Sequence, residues 1–182
     1  YKFIDSLVHE LKKLNMCDPF DPTVDIGPLV SNKLLLLLKS QVSDAIQKGG
    51  KIETGGERIK KFKGNFYEPT IITNVTNNMR VWQEETFGPV LPIMSFSAEE
   101  QAANLVNQSE YGMGALVLTN DLVKADRLAN KLDCGMVDIN DGKCSKSCNP
   151  FGGTKISSIG RVHGEWGFRE LTNVKVISKT DH

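Results

Sequence analysis

Short apolar segments alternate with amphipathic helices along this chain, and this alternation strongly limits the folds it can adopt. Gly114 to Thr119 is apolar and of strand length, Asp121 to Leu132 has one apolar helical face, and Met136 to Asn140 is extended again. Fully apolar strands separated by helices are typical of parallel sheets that are covered on both faces. The pattern therefore predicts an α/β fold with a mostly parallel sheet flanked by helices.

Local signals place further elements before and after this unit. We predict a helix over the first fourteen residues, a second from a Ser31 cap to Lys48, and a third that follows a capping box, Ser97 to Glu100, and ends near Gln108. Extended segments are predicted at 51–54, 66–75 and 90–96. The tail strand 174–177 could pair within its own sheet or with a neighbouring subunit.

The charge balance excludes some classes of partner. The chain has 22 basic and 22 acidic residues, a net charge of zero, although 143–179 holds seven basic residues against two acidic ones, a net of +5. A neutral chain lacks the general attraction to phosphate backbones and anionic lipids, so we expect no nucleic acid partner. We also expect no membrane span, because the longest aliphatic run, Leu34 to Leu38, is far shorter than the roughly 20 residues required.

The cysteine count and the first residue bear on context. The 4 cysteines are too few and too unevenly spaced for a disulfide scaffold, so we expect reduced thiols and a cytoplasmic location. The chain begins with Tyr1 rather than Met, and we expect it to be part of a longer protein.

The segment from Glu84 to Val90 places two carboxylates and an aromatic residue before a Gly-Pro turn. A carboxylate held beside such a turn can accept two hydrogen bonds from a ribose diol, while the ring of Phe87 can cover a flat heterocycle. The alternative from composition alone is a solvated Glu pair with Phe87 in the core.

A second segment, Asn149 to Arg161, is rich in glycine, which allows positive φ angles and close backbone approach beside a ligand. It is not a P-loop, because Gly152-Gly153-Thr154-Lys155 lacks the required spacing.

Taken in order, five motifs closely resemble the C-terminal portion of the aldehyde dehydrogenase superfamily: Asp18 to Val30, Glu68-Pro69-Thr70, Glu85 to Val90, Tyr111 to Ala115 and Pro150 to Lys155. The resemblance covers the whole chain. It implies the catalytic-domain portion of that fold over 1–170 and an oligomerisation strand over 171–182.

The resemblance also implies roles for single residues. Glu85 matches the glutamate that binds the nicotinamide ribose of NAD or NADP, and Phe87 matches the aromatic residue beside the nicotinamide. Phe151 falls where the family lines its substrate tunnel, and the loop before it, which includes Ser145, is where family members select the aldehyde. The resemblance places no catalytic residue in this chain, because the nucleophilic cysteine, the oxyanion-holding groups and the general base all lie upstream. The parent enzyme would oxidise an aldehyde to a carboxylic acid through a cysteine thiohemiacetal and thioester, as a dimer or tetramer.

Lys143, Ser145 and Lys146 could bind a carboxylate through charge-assisted hydrogen bonds, so we predict a preference for aldehydes that carry one. The alternative is that both lysines point to solvent. Ser158 and Val162 replace a glycine and a glutamate of the family pattern, which keeps open a non-catalytic structural or interaction module.

Cys144, Cys148 and His163 are the candidate ligands of a zinc site. It offers only one loose pair of ligands, so we expect no metal.

Overall fold

A computed structural model describes residues 2–143 and 145–180. The chain folds as two compact units, Tyr1–Ser95 and Phe96–His182. The elements of the first unit are α1 Lys2–Leu11, α2 Asn32–Gln47, β1 Lys51–Thr54, β2 Thr70–Thr73, α3 Arg80–Gln83 and β3 Val90–Pro92. The second unit contains α4 Glu99–Asn107, β4 Tyr111–Gly112, β5 Gly114–Val117, α5 Leu122–Ala129, β6 Met136–Ile139, β7 Thr154–Lys155 and α6 Gly164–Glu170.

Helix α2 forms where its end signals predict it. The Ser31 hydroxyl accepts a 3.2 Å hydrogen bond from the amide of Leu34, which satisfies one free N–H of the first turn. At the other end, Gly49 has a φ of 93°, a conformation in which glycine is not strained, and the helix stops. The predicted helix is therefore confirmed to within one residue.

The first unit has its core between α2 and a three-stranded sheet. β2 is the central strand, antiparallel to β1 and parallel to β3. The residues that pack together in this core are Leu35, Leu38, Val42, Ala45, Tyr67, Ile72, Val75, Met79, Val81 and Val90. β2 packs against the buried face of α2 in this core and pairs with β3 along its edge. It therefore links α2 to β3 and to the segment that precedes β3.

The second unit contains the predicted strand, helix, strand arrangement. β5 and β6 pair in parallel from Gly114 opposite Met136 to Val117 opposite Ile139, and α5 lies between them in the chain. The carboxylate of Asp121 accepts a 3.0 Å hydrogen bond from the amide of Lys124 and begins α5. A separate antiparallel pair joins β4 to β7.

The sheets are smaller and more mixed than the sequence predicted. The strands of the described residues form three sheets, with two parallel and two antiparallel pairings, instead of one mostly parallel sheet. The α/β class is correct. Alternation of strands and helices predicts that class, but it does not report which strands become neighbours.

One local prediction needs correction, and one is not tested by the single chain. The predicted capping box is wrong, because α4 begins after Ala98 and not after Ser97. The amide and the hydroxyl of Ser97 donate to Gln101 Oε1 at 2.9 and 3.0 Å instead of pairing with Glu100. Residues 173–180 form no strand in the single chain. An extended segment becomes a strand only when another strand pairs with it, so oligomerisation through the tail stays a prediction.

Candidate cofactor and substrate sites

Glu84 is held by an arginine one helical turn earlier. Arg80 of α3 donates from Nε to Glu84 Oε1 at 2.7 Å and from Nη2 to Oε2 at 2.8 Å, so the planar guanidinium binds both carboxylate oxygens. These hydrogen bonds lower the pKa of Glu84 below its usual value, and partial burial opposes them. The carboxylate of Glu84 is therefore engaged within the fold.

Glu85 differs from its neighbour. Its side chain is exposed, and its carboxylate has no hydrogen-bond or ion-pair partner within the described part of the chain. Phe87, two residues later, is 66% exposed and so does not belong to the core. The alternative that placed this ring in the core is excluded, and both groups are accessible to a ligand.

The turn after Phe87 is fixed to the sheet. The amide of Thr70 in β2 donates to the Pro89 carbonyl at 2.8 Å, and Val90 then begins β3 opposite Thr70. A Cβ added at Gly88 would lie 3.1 Å from methyl groups of both Leu29 and Leu38, so the turn fits tightly over the core. Glu85 and Phe87 thus lie on a short segment between a helix and a strand, both well anchored.

Phe151 lies at the start of the glycine-rich segment in the second unit. Its N–H and C=O each pair with the backbone of Val162 at 2.8 Å, which closes the segment into a loop. Its half-buried ring lies 5.5 Å from the ring of His163, centroid to centroid. The ring orientation is therefore supported by backbone pairing and by an aromatic neighbour.

The glycines of this segment allow close backbone approach. A Cβ at Gly135 would overlap the carbonyl oxygen of Gly152, and a Cβ at Gly152 would lie 2.5 Å from the carbonyl oxygen of Gly160. A Cβ at Gly153 would lie 2.7 Å from Cβ of Ser157. Packing within the chain therefore requires glycine at these positions, and the predicted close approach to a ligand stays a prediction.

Lys155 does not offer its charge to a ligand. Its ammonium group donates to the carbonyl oxygens of Asn107 and Ser109 at 2.9 Å each and lies 3.4 Å from a carboxylate oxygen of Asp133. A phosphate-binding lysine needs a free ammonium group, so this arrangement agrees with the spacing argument against a P-loop.

The loop that precedes Phe151 is exposed on the surface. Ser145 and Lys146 are both exposed, and Lys143 forms an ion pair with Asp141 at 3.1 Å. An aspartate beside Lys143 weakens its attraction for a substrate carboxylate. Cys144 lies outside the described residues.

The described thiols differ in their exposure to solvent. Burial raises the pKa of Cys134, with the nearby Asp133 as a second cause, whereas the side chain of Cys148 is exposed.

Among residues 2–143 and 145–180, no three His, Cys, Asp or Glu side chains are close enough together to hold a metal ion. No helix in the same part of the chain is long and apolar enough to cross a membrane.

Sequence reasoning missed the network around Glu84. The spacing of four residues between Arg80 and Glu84 could have indicated their ion pair. The link from Gln41 to this segment joins residues 43 and 44 positions apart, and no local pattern indicates it.

The comparisons with known proteins agree with these observations. The Aldehyde dehydrogenase family model matches residues 1–177. The chain is 41% identical over 179 residues to the peroxisomal aminoaldehyde dehydrogenase 1 of Pisum sativum, over 98% of this chain and 36% of that protein. It is 39% identical over 182 residues to the chloroplastic betaine aldehyde dehydrogenase of Amaranthus hypochondriacus, over 98% and 36%.

Solved structures give the same result. Betaine aldehyde dehydrogenase from Staphylococcus aureus in complex with NAD+ matches with a TM-score of 0.87 and 39% identity, over 93% of this chain and 34% of that one. Succinate-semialdehyde dehydrogenase from Burkholderia pseudomallei matches with a TM-score of 0.88 and 36% identity, over 93% and 35%. The chain therefore belongs to the aldehyde dehydrogenase family. It spans about a third of the length of these relatives.

Proposed function

We propose that this chain supplies the nicotinamide-ribose contacts and the substrate-tunnel wall of an NAD(P)-dependent aldehyde dehydrogenase. The parent enzyme oxidises an aldehyde to a carboxylic acid through a cysteine thiohemiacetal and thioester, and the chain alone is inactive because the family nucleophile lies upstream. When bound, the nicotinamide cofactor supplies the acceptor for the hydride of the substrate.

The proposal rests on the difference in hydrogen bonding and exposure between two adjacent carboxylates. Glu84 is neutralised by Arg80, whereas Glu85 is exposed and unpartnered within the described residues, beside the exposed ring of Phe87. A free carboxylate with two oxygens fits the two hydroxyl groups of a ribose, and an apolar ring fits a flat heterocycle. Glu85 would orient the ribose, and Phe87 would shield one side of the attached ring.

On the substrate side, Phe151 would line the tunnel, with Ser145 in the loop that precedes it. The preference for an aldehyde that carries a carboxylate stays a prediction. It would be wrong if the parent enzyme turned over succinic semialdehyde and an uncharged aliphatic aldehyde equally well.

The test uses the full-length protein that contains this chain. With NAD or NADP and a panel of aldehydes, we expect the absorbance of reduced nicotinamide to rise. Glu85→Gln should raise the KM for the cofactor about tenfold, because a neutral amide replaces a charged acceptor. Glu57→Gln, another exposed glutamate of the first unit, should change nothing.

If no aldehyde reduces either nucleotide, the proposal fails. In that case the non-catalytic module gains support, and two departures from the family pattern keep it open. The Ser158 hydroxyl exchanges hydrogen bonds with the backbone of Gly160 at 2.9 and 3.2 Å, and Val162 is 55% exposed where the family has a glutamate.

We also propose that the protein is a cytoplasmic homo-oligomer, a dimer or tetramer, whose tail strand over 171–182 pairs with a second subunit. The exposed apolar residues of the tail, Leu171, Val174, Val176 and Ile177, support this assembly. Deletion of 171–182 should reduce the sedimentation coefficient of the full-length protein, and an unchanged coefficient would contradict the role of the tail.

A further inference from the structure

Gln41 is a polar residue in an apolar environment. Its side chain is 1% exposed and lies on the face of α2 that also buries Leu38 and Val42. Burial of an amide costs free energy unless hydrogen bonds compensate for the loss of water. The contacts of this amide therefore need a physical explanation.

The amide nitrogen of Gln41 connects two consecutive residues of the site. It donates to Glu84 Oε2 at 3.1 Å and to the backbone carbonyl of Glu85 at 3.2 Å. The other atom of the amide, Oε1, is buried and has no hydrogen-bond partner in the described part of the chain. The opposite orientation would direct Oε1 towards a carboxylate and a carbonyl, which repel it, so the amide orientation is determined by its donor role.

The Glu84 side of this arrangement is held by further hydrogen bonds. Arg80, which binds Glu84 through two nitrogens, donates a third hydrogen bond from Nη1 to the Ser40 hydroxyl at 3.0 Å. The backbone amide of Arg80 donates to Asp44 Oδ2 at 2.9 Å. Ser40 and Asp44, the partners in these last two hydrogen bonds, both lie on α2. Because Arg80 lies on α3, the two helices together hold Glu84, the residue that precedes Glu85.

We infer that Gln41 is a positioning residue for cofactor binding: it fixes the peptide of Glu85 so that the free carboxylate is held ready for the ribose hydroxyls. The inference rests on the proposed function. Without the hydrogen bond to its carbonyl, the Glu85 peptide can rotate, and the bound cofactor must then restrict that motion at a cost in affinity. An amide that places its Nε2 donor beside Glu84 and Glu85 leaves its Oε1 buried without a hydrogen-bond partner among the described residues, which is unfavourable.

The test compares Gln41→Leu with Gln47→Leu in the full-length protein. Gln47 lies at the exposed end of the same helix, and within the described residues its side chain donates only to the Ser43 hydroxyl, at 3.4 Å, so it is a matched control. The measurements are the Kd for NAD and NADP by calorimetry, the KM for the aldehyde and the thermal midpoint. Gln41→Met, which keeps the length of the side chain, is the second variant should Gln41→Leu fail to fold.

We expect Gln41→Leu to weaken cofactor binding about 3- to 10-fold and to leave the aldehyde KM unchanged. The thermal midpoint should change little, because removal of the unpartnered buried Oε1 offsets the loss of the two hydrogen bonds that Nε2 donates. Gln47→Leu should change none of these quantities. A loss of affinity without a loss of stability separates positioning from a purely structural role.

Two outcomes overturn the inference. One is a cofactor Kd for Gln41→Leu within about twofold of the wild type. The other is a fall in the thermal midpoint accompanied by equal losses in cofactor and aldehyde binding, which would show that Gln41 only supports the fold. A wild-type protein that binds neither nucleotide would overturn the proposed function as well, and that result is visible before any variant is made.

Discussion

Lys155→Met should loosen the glycine-rich segment of the second unit. Lys155 is only 18% exposed, and its ammonium group is shared by two backbone carbonyls, at Asn107 and Ser109, and by Asp133. Lys155 already has a φ of 54°, and methionine has a similar length and the same backbone requirement. The substitution therefore removes the charge and its hydrogen bonds without a new backbone strain.

The expected magnitude follows from these contacts. A hydrogen bond from a charged donor contributes about 1.5–3 kcal/mol, and two are lost here, but water can reach the released carbonyls in part. We therefore expect a loss of about 2–4 kcal/mol in the local free energy of opening.

Native-state hydrogen exchange on peptides that cover β4 and β7 measures this quantity. A loss of about 2 kcal/mol accelerates exchange roughly 30-fold. Lys131→Met is the control, because its ion pair with Glu100 is exposed and contributes about 0–1 kcal/mol. Equal exchange rates in the two variants would refute the reasoning, since the partly buried ammonium group would then contribute no more than a surface one.

Two further predictions concern the first unit. Leu38→Ala, at a side chain that is fully buried, should lower the free energy of unfolding by about 2–5 kcal/mol in a denaturant titration, whereas Leu36→Ala, at a 57% exposed position, should cost much less; equal effects would contradict the assigned core. The second prediction concerns pH. The pKa of Glu84 is lowered in the fold, mainly by the hydrogen bond from Arg80. The stability that this pair contributes is therefore present above the usual pKa of 4.5 and is lost as the pH falls through the lowered pKa. The advantage in thermal midpoint of the wild type over Glu84→Gln should therefore shrink on acidification, and a constant or growing advantage would contradict this sign.

Sequence reasoning succeeded where the signal was local. The Ser31 cap and the Gly49 stop lie within a few residues of the helix ends that they define, and both ends of α2 were predicted. It failed at Ser97, where a serine and a glutamate three residues apart match a capping box, but the next residue, Gln101, takes the contact. Two competing local hydrogen bonds of similar strength cannot be ranked from spacing alone.

The candidate site shows the same limit at longer range. Residue types alone predicted a carboxylate beside a turn and did not separate Glu84 from Glu85, which carry the same side chain; only the family resemblance selected Glu85, without a physical reason. Their difference arises because Arg80 and Gln41 reach one carboxylate and not the other. The partner on α2 is distant in the chain, so only the folded structure identifies it.

The packing of the glycine-rich segment has a consequence for protein engineering. A Cβ at Gly152 or Gly153 has no space, whereas the described residues of the preceding loop, 141–143 and 145–149, are exposed, and a Cβ at Gly142 would meet nothing within 4 Å. Under the proposed function, a library aimed at a new aldehyde should therefore vary the loop and keep both glycines. Variation at the glycines would remove stability before it could change selectivity, so most of such a library would be lost to misfolding.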